Sequence, residues 1–460
     1  MNPKTIIGLE IHVQLPTQSK LFCGCSTRGG EPNSSTCPIC LGHPGAKPVL
    51  NRAAVDWAIK IALAFGCAVN SPFFFSRKTY FYPDLSKNFQ ITQFEIPLGK
   101  SGVLELESGK KVRIRRIHLE EDPAALVHEK GFSLVDYNRS GIPLVEIVTE
   151  PDLESAGEAR EFLNKLVSVL EFLGALTLGE GALKADCNLS LSGHSKVELK
   201  NISGFQAVEK ALLAEEKRQR ELLAAGDAVQ QQTRGFDEKA NKTFLQREKE
   251  SEADYGYIFE PDLVQTVVDK DWLSAIQKSI PELPKQKALR FQKQFLLSAY
   301  DAQVLCSGKK LSDLFEELVQ TNSPDLVCRF LSRELLGILN YNKLGINSVG
   351  LKAVHLSELL SLVASGSVSE KNAKQATIEY VLNGVPPVVF LGKNDLLVSV
   401  SGSDVDAIVS SVLSRNPNAV ADLKAGNQKS LNFLVGLVMR ETKGKIEPRL
   451  VQKKIEEKIR

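Results

Sequence analysis

Residues 6 to 15 read IIGLEIHVQL, in which Ile7, Leu9, Ile11, Val13 and Leu15 alternate with Glu10, His12 and Gln14. A period of two predicts a strand, apolar on one face and carrying a carboxylate and an imidazole on the other. The pattern returns further along. In RRIHLEED, His118 and Glu120 alternate with Ile117 and Leu119; in IPLVEIVTE, Glu146 and Glu150 alternate with Val145 and Ile147. In LKADCNLSL, Lys184, Asp186, Asn188 and Ser190 alternate with Leu183, Ala185, Cys187, Leu189 and Leu191. Segments of this kind fold only as sheet with the apolar face covered.

One wet face on an antiparallel sheet is ordinary. Asp and Glu are nevertheless depleted in strands, so carboxylates at the centres of several strands point to a shared site. Hard oxygen ligands with one imidazole suit Mg²⁺ or Mn²⁺, an ion that commonly bridges protein carboxylates to substrate phosphates. No G-x-x-x-x-G-K-[ST] run occurs, which excludes a P-loop as the phosphate cradle.

A second cluster is spelled by cysteine. Cys23-Gly-Cys25 and Cys37-Pro-Ile-Cys40 place four soft ligands in two close pairs, the pattern of a structural Zn²⁺ knuckle over residues 23–40. An empty thiol cluster is the alternative; a disulfide pair is disfavoured in a reducing compartment. Cys67, Cys187, Cys306 and Cys328 stand alone and read as core residues.

Length and composition bound the rest. At 460 residues the chain has room for about three domains, and 43% hydrophobic residues can fill several cores. Basic and acidic residues nearly cancel, 57 against 55, so whole-chain charge announces no nucleic-acid partner. The N-terminus has no signal-peptide core and no apolar run reaches membrane-spanning length, so the expectation is a cytoplasmic protein without a membrane partner.

Up to about residue 150 the sequence is strand-rich, with alternation at 6–15, 111–120 and 142–149. Residues 155–173 switch to helical period, with Ser155 and Glu158 fitting a capping box. A strand at 183–191 and a helix at 206–225 ending at Gly226 follow. Helical segments dominate after about 284, which puts the first domain boundary near 290; a Gly/Ser/Asp stretch at 398–407 marks the second. Residues 421–460 carry ten Lys or Arg against five Asp or Glu. There Phe433, Leu434, Leu437 and Val438 predict a small core, with Lys424, Lys429, Arg440, Lys443, Lys445 and Arg449 turned mainly to solvent.

Taken together, IIGLEIHVQL, CPICLGHPGAKPVLN, SRKTYFYPDLSKNFQITQ, IHLEED, VDYNRSGIPLVEIVTEPD, KVELKNISGF and FLVGLVMRETKGK resemble, in order and from end to end, the B subunits of tRNA-dependent amidotransferases (GatB). The resemblance implies an α+β protein: an antiparallel-sheet-rich cradle holding a kinase/transamidase site (1–290), a helical domain (291–404) and a small helical YqeY-like tail (405–460). By motif match it implies Mg²⁺ ligands at His12, Glu120 and Glu146, with Glu10 and Asp186 close by, and a zinc knuckle at Cys23, Cys25, Cys37 and Cys40. It implies ATP as substrate, an amidase A subunit and a small C subunit (GatA, GatC) as partners in a heterotrimer, and misacylated Glu-tRNA(Gln) or Asp-tRNA(Asn) gripped by the basic tail.

Two blocks depart from that family. Pro123, Ala124 and Ala125 stand where Ala-Gly-Lys is usual, and REKESEADYGY has Ala253 and Gly256 where His and Arg are usual. The competing expectation is a zinc-stapled tRNA-binding scaffold without chemistry, which explains the cysteines and the basic tail but not the carboxylates.

Overall fold

A computed structural model describes residues 3–176, 183–202, 204–248, 256–397, 402–424, 427–442 and 448–459. It divides into two compact units, Met1–Pro284 and Lys285–Arg460. The first unit therefore ends a few residues before the boundary expected near 290.

The first unit is built on strands β1 (Thr5–Gln14), β2 (Ala68–Val69), β3 (Ser76–Thr79), β4 (Phe89–Thr92), β5 (Gly99–Glu105) and β6 (Lys111–Glu121). They are followed by β7 (Ala125–Glu129), β8 (Phe132–Asp136), β9 (Pro143–Thr149), β10 (Leu183–Leu191) and β11 (Val197–Ile202). Beyond these come β12 (Gln232–Asp237), β13 (Lys242–Glu248) and β14 (Gly256–Phe259). Nine strands form one sheet in the order β13-β12-β11-β10-β1-β9-β6-β5-β2, and β14-β3-β4 and β7-β8 form two small sheets. Among the described residues the pairings are antiparallel except that of β11 with β12, which run parallel.

Helices α1 (Arg52–Ala64), α2 (Ala156–Leu173), α3 (Phe205–Ala225) and α4 (Lys270–Lys278) belong to this unit. The strand-rich reading of the first 150 residues missed α1, a complete helix capped by the Asn51 side chain on Ala53 N–H at 2.9 Å. At α2 the capping box is built with a shift: the Ser155 hydroxyl accepts from Glu158 N–H at 3.1 Å, while Glu158 reaches back to Glu154 N–H at 2.8 Å. Gly174 closes the helix at φ 76°, a left-handed conformation that glycine adopts without strain.

These helices supply the cover that the alternating strands demand. Ile7, Leu9, Ile11 and Val13 share one buried core with Ala58 and Ile59 of α1, Phe162, Leu163, Leu166 and Leu170 of α2, and Ala211 and Leu212 of α3. Each fully buried Leu, Ile or Phe side chain contributes about 1.5–3 kcal/mol, so the sheet's apolar face strongly favours this arrangement.

The phase of β6 changes in the middle. Val112 and Ile114 are core residues on even positions, whereas Ile117 and Leu119 are core residues on odd ones. A β-bulge between Ile114 and Arg116 makes the switch, for there the pairing with β9 shifts register. Without the bulge, Arg116, His118 and Glu120 would share the apolar face with Ile114.

The second unit contains α5 (Pro284–Phe295, its first residue the last of the first unit), α6 (Ala299–Leu305), α7 (Lys309–Leu318), α8 (Pro324–Arg329) and α9 (Leu336–Tyr341). These are followed by α10 (Ala353–Ala364), α11 (Glu370–Asn383) and α12 (Pro387–Lys393). A π-helical turn over Phe330–Leu335 joins α8 to α9. These helices share a core in which Phe291, Phe295 and Phe315 meet at ring-centroid distances of 4.8 to 5.6 Å.

A separate core joins α13 (Gly402–Arg415), α14 (Pro417–Lys424), α15 (Gln428–Glu441) and α16 (Pro448–Ile459). Leu431, Leu434 and Val438 of α15 are buried there with Val405, Val409 and Ile455. Phe433, expected in this core, is instead 53% exposed; Leu431 takes its place, because the stripe of α15 runs through 431, 434 and 438. No described helix is long and apolar enough to cross a membrane.

Candidate active site

β9 lies between β1 and β6, and its register brings three strands' polar groups to one point. His12 faces Glu146 across the β1–β9 ladder, and His118 faces the same Glu146 across the β9–β6 ladder. His12 Nε2 is 3.6 Å from Glu146 Oε2 and 3.5 Å from Glu120 Oε1. His118 Nε2 is 3.2 Å from Glu146 Oε2 and 3.6 Å from Glu120 Oε2. The Thr92 hydroxyl donates to Glu120 at 3.1 Å, tying the small β14-β3-β4 sheet to this point.

These groups form the floor of a cleft of about 530 Å³. Glu10, His12, Glu120, Glu146 and Asp186 all line it, so it gathers the metal-ligand candidates and the two acidic neighbours singled out from the sequence. Glu10 and Asp186 are cross-strand partners one step along the sheet. Lys78, Arg116, Arg139, Lys184 and Lys200 add positive charge to the walls. Neighbouring Glu121 points away from the cleft: its carboxylate accepts from Lys87 at 2.7 Å and from Ile91 N–H at 2.9 Å. In the departing Pro123–Ala125 segment, Arg139 donates to the carbonyls of Pro123 and Ala124 at 2.9 and 2.6 Å.

Charge is balanced locally. Burial disfavours the imidazolium of His12, but the Glu146 and Glu120 carboxylates win and raise its pKa to about 9. His118 moves the same way, burial opposing and Glu146 prevailing. Burial works against charge on Glu146 and Glu120 too, yet both stay below the usual carboxylate range because two imidazoles face them. Glu10, buried and close to Glu146, is pushed up.

One ligand atom from each of His12, Glu120 and Glu146 lies within 4.8 Å of the others, a group that could hold a metal ion. Two carboxylates and an imidazole fit a hard divalent cation, which would take the place of the proton on His12.

Motif reading did not include His118, Arg116 or Gln93 in the site. His118 could have been found, since it shares the parity of Glu120 on β6. Gln93 follows the end of β4 and carries no periodic signal.

The cysteines form a second centre. The sulfur atoms of Cys23, Cys25, Cys37 and Cys40 lie within 4.8 Å of one another, a set that could hold a soft tetrahedral ion such as Zn²⁺. Cys40 is drawn down to about 4 by a bond from the Cys23 thiol, with Lys20 assisting, while Cys23 is pushed up by the same bond. Lys20 is fully buried; its Nζ donates to the carbonyls of Ser35 and Tyr137 at 2.9 and 3.1 Å and lies 3.6 Å from Cys40 Sγ. Cys67, Cys187, Cys306 and Cys328 are buried singly. In the tail, Lys424 lies on α14 and Lys429 and Arg440 on α15, and all three are exposed. Lys443, Lys445 and Ala253 lie outside the described residues, as does the Arg449 side chain.

A family model described as "GatB/GatE catalytic domain" matches residues 5–274, and one described as "GatB domain" matches residues 313–459. The sheet and its cleft are thus a catalytic domain of the GatB/GatE class. Over nearly the whole chain the protein is 42% identical to the B subunit of the aspartyl/glutamyl-tRNA(Asn/Gln) amidotransferase of Carboxydothermus hydrogenoformans, covering 99% of this chain and 98% of the relative. The corresponding B subunit from Thermodesulfovibrio yellowstonii is also 42% identical, over 99% of both chains, and that from Thermotoga neapolitana 42% over 98% of both. The chain belongs to the family of aspartyl/glutamyl-tRNA(Asn/Gln) amidotransferase B subunits.

Proposed function

We propose that the cleft performs the two chemical steps of a tRNA-dependent amidotransferase. In the first, an oxygen of the Glu or Asp side chain on misacylated tRNA attacks the γ-phosphorus of ATP. A C–O–P linkage forms, the bond to the bridging oxygen breaks, and ADP leaves with the electron pair. In the second, ammonia attacks the acyl carbon, the C–O bond to phosphate breaks, phosphate leaves with the pair, and nitrogen loses a proton.

The meeting of His12 and Glu120 at Glu146 carries this reading. His12, Glu120 and Glu146 would hold a Mg²⁺ ion (Mn²⁺ has similar requirements), which when bound supplies neutralising charge at the phosphoryl oxygens. His118 and Thr92 keep the two carboxylates aimed from outside the triad, His118 by pairing with Glu120 at 3.6 Å and Glu146 at 3.2 Å and Thr92 by donating to Glu120. Basic groups on the walls draw in anionic ATP and tRNA. Zn²⁺ at the four cysteines would staple the loop and take no part in chemistry.

Ammonia comes from a partner, the amidase A subunit, with the small C subunit completing the heterotrimer; the tail over 405–460 grips tRNA through phosphate contacts. The site belongs in the cytoplasm with translation. A scaffold role without chemistry leaves the buried imidazole–carboxylate cluster without a purpose. Reconstitution with GatA and GatC tests the proposal: the complex should convert Glu-tRNA(Gln) to Gln-tRNA(Gln) with ATP and glutamine, and a complex of Glu146→Gln should not.

A further inference from the structure

Six buried side-chain nitrogen or oxygen atoms lack a hydrogen-bond partner among the described residues. Four of them, Asp84 Oδ1, Gln93 Nε2, Arg116 Nε and His118 Nδ1, belong to residues that line the one cleft. Buried polar groups are satisfied as a rule, so this concentration marks a surface prepared for a ligand.

Two of the four are obligatory donors. Gln93 has no freedom to turn its amide, because its Oε1 accepts from Leu98 N–H at 3.2 Å and from Leu119 N–H at 3.0 Å. That leaves its NH₂ group as the end without a partner. Leu119 lies between His118 and Glu120 on β6, so the amide is anchored directly beside the imidazole–carboxylate cluster. Arg116 stands on the same strand face two residues from His118, and the bulge that begins at Ile114 places it there. A guanidinium offers a fork of donors matched to phosphate oxygens.

We propose that Arg116 and Gln93 form the phosphoryl-binding wall of the cleft, donating to the oxygens of the phosphoryl group that leaves ATP. The assignment rests on the phosphoryl-transfer reading above and adds the groups that hold the group in transit. The Gln93 amide, anchored through its oxygen, is oriented before the reaction, and a donor oriented in advance stabilises developing charge on those oxygens at little cost in reorganisation. A ligand of this chemistry could also be a tRNA backbone phosphate, and the two sources differ in their dependence on the γ-phosphate.

The test compares binding of Mg²⁺ complexes of β,γ-imido-ATP and ADP by calorimetry, using the reconstituted complex. Arg116→Met and Gln93→Glu are the variants; the second keeps an acceptor for Leu98 and Leu119 but replaces the donor with an oxygen. Each should weaken the imidotriphosphate roughly tenfold or more while leaving ADP within about twofold, as expected for loss of a charge-assisted bond. Arg116→Lys should fall between Arg116→Met and wild type. Thermal midpoints of all variants report folding separately. Equal losses for both nucleotides, or no loss for either, overturn the assignment. A selective loss of tRNA binding with unchanged nucleotide binding also overturns it and points to a backbone phosphate. If the wild-type complex binds neither nucleotide, the phosphoryl-transfer reading falls first and takes this one with it.

Discussion

His12 and Glu146 are partners across the β1–β9 ladder, with Nε2 3.6 Å from Oε2, and Glu146 has a second imidazole, His118, at 3.2 Å on its other side. A carboxylate shared in this way is the hub of the cleft. Replacing it by Gln keeps shape but removes the charge that both imidazoles answer. Glu146→Gln should weaken Mg²⁺ binding on the order of 100-fold, at or beyond the upper end for loss of a supporting group around a metal. It should abolish ATP-dependent amide formation and spare the glutaminase of the amidase partner. Wild-type amidation by this variant would remove Glu146 from the site.

The proton on His12 sets a pH dependence. Its folded pKa is raised to about 9 against an ordinary 6.5, so its stabilising contribution is complete below pH 6.5 and is lost as pH climbs through 9. Metal binding needs the neutral imidazole, so Mg²⁺ affinity should grow over the same window. Thermal midpoints of the metal-free protein should decline across this window, and Mg²⁺ should offset the decline increasingly at the alkaline end. A Mg²⁺ stabilisation that shrinks with rising pH contradicts the assignment.

Metal analysis addresses the cysteines. The purified chain should carry about one equivalent of zinc, absent from a Cys37→Ser/Cys40→Ser variant. Lys20→Met should also weaken zinc retention, because it takes a buried positive charge away from a thiolate cluster whose Cys40 sulfur lies 3.6 Å from Nζ. Chelator competition measures both, and zinc content that is unchanged in the double variant rules out the knuckle.

The tail has its own core, with Val409, Leu434, Val451 and Ile455 fully buried, so its removal leaves the other cores intact. Deleting residues 405–460 should raise the KM for Glu-tRNA(Gln) and flatten the salt dependence of tRNA binding, by about 0.7 to 0.9 in logarithmic slope for each phosphate that the tail neutralises. Free glutamine hydrolysis should be unaffected. Equal tRNA affinity across a salt series would exclude the tail as a binding element.

Local signals carried much of this molecule. The alternation of β1, β6, β9 and β10, the capping box of α2 and the two cysteine pairs were legible because each depends on residues close in sequence. Even the phase change of β6 is written in the chain, where Arg115 and Arg116 interrupt the alternation. Less was legible where neighbours decide. Phe433 has the right character for a core, yet it falls off the stripe that α15 turns toward α13 and α16. α1 is a different case, for its signal is local: Arg52, Asp56 and Lys60 recur every four residues opposite the buried Ala54, Val55, Ala58, Ile59, Ile61 and Ala62, a helical period that the strand-rich reading passed over.

The sequence by itself determined which residues could face a polar cleft, since parity along a strand is a local property and each strand states its own. It did not determine which strands are neighbours. That β9 lies between β1 and β6, so that Glu146 meets both His12 and His118, is a matter of pairing and register between segments far apart in the chain. Only burial of all their apolar faces at once selects that register, because a slip by one residue would turn each carboxylate into the core. The same long-range order fixes the amide of Gln93 on Leu119 and leaves its donor without a partner among the described residues at the lining of the cleft, which no pattern around residue 93 encodes.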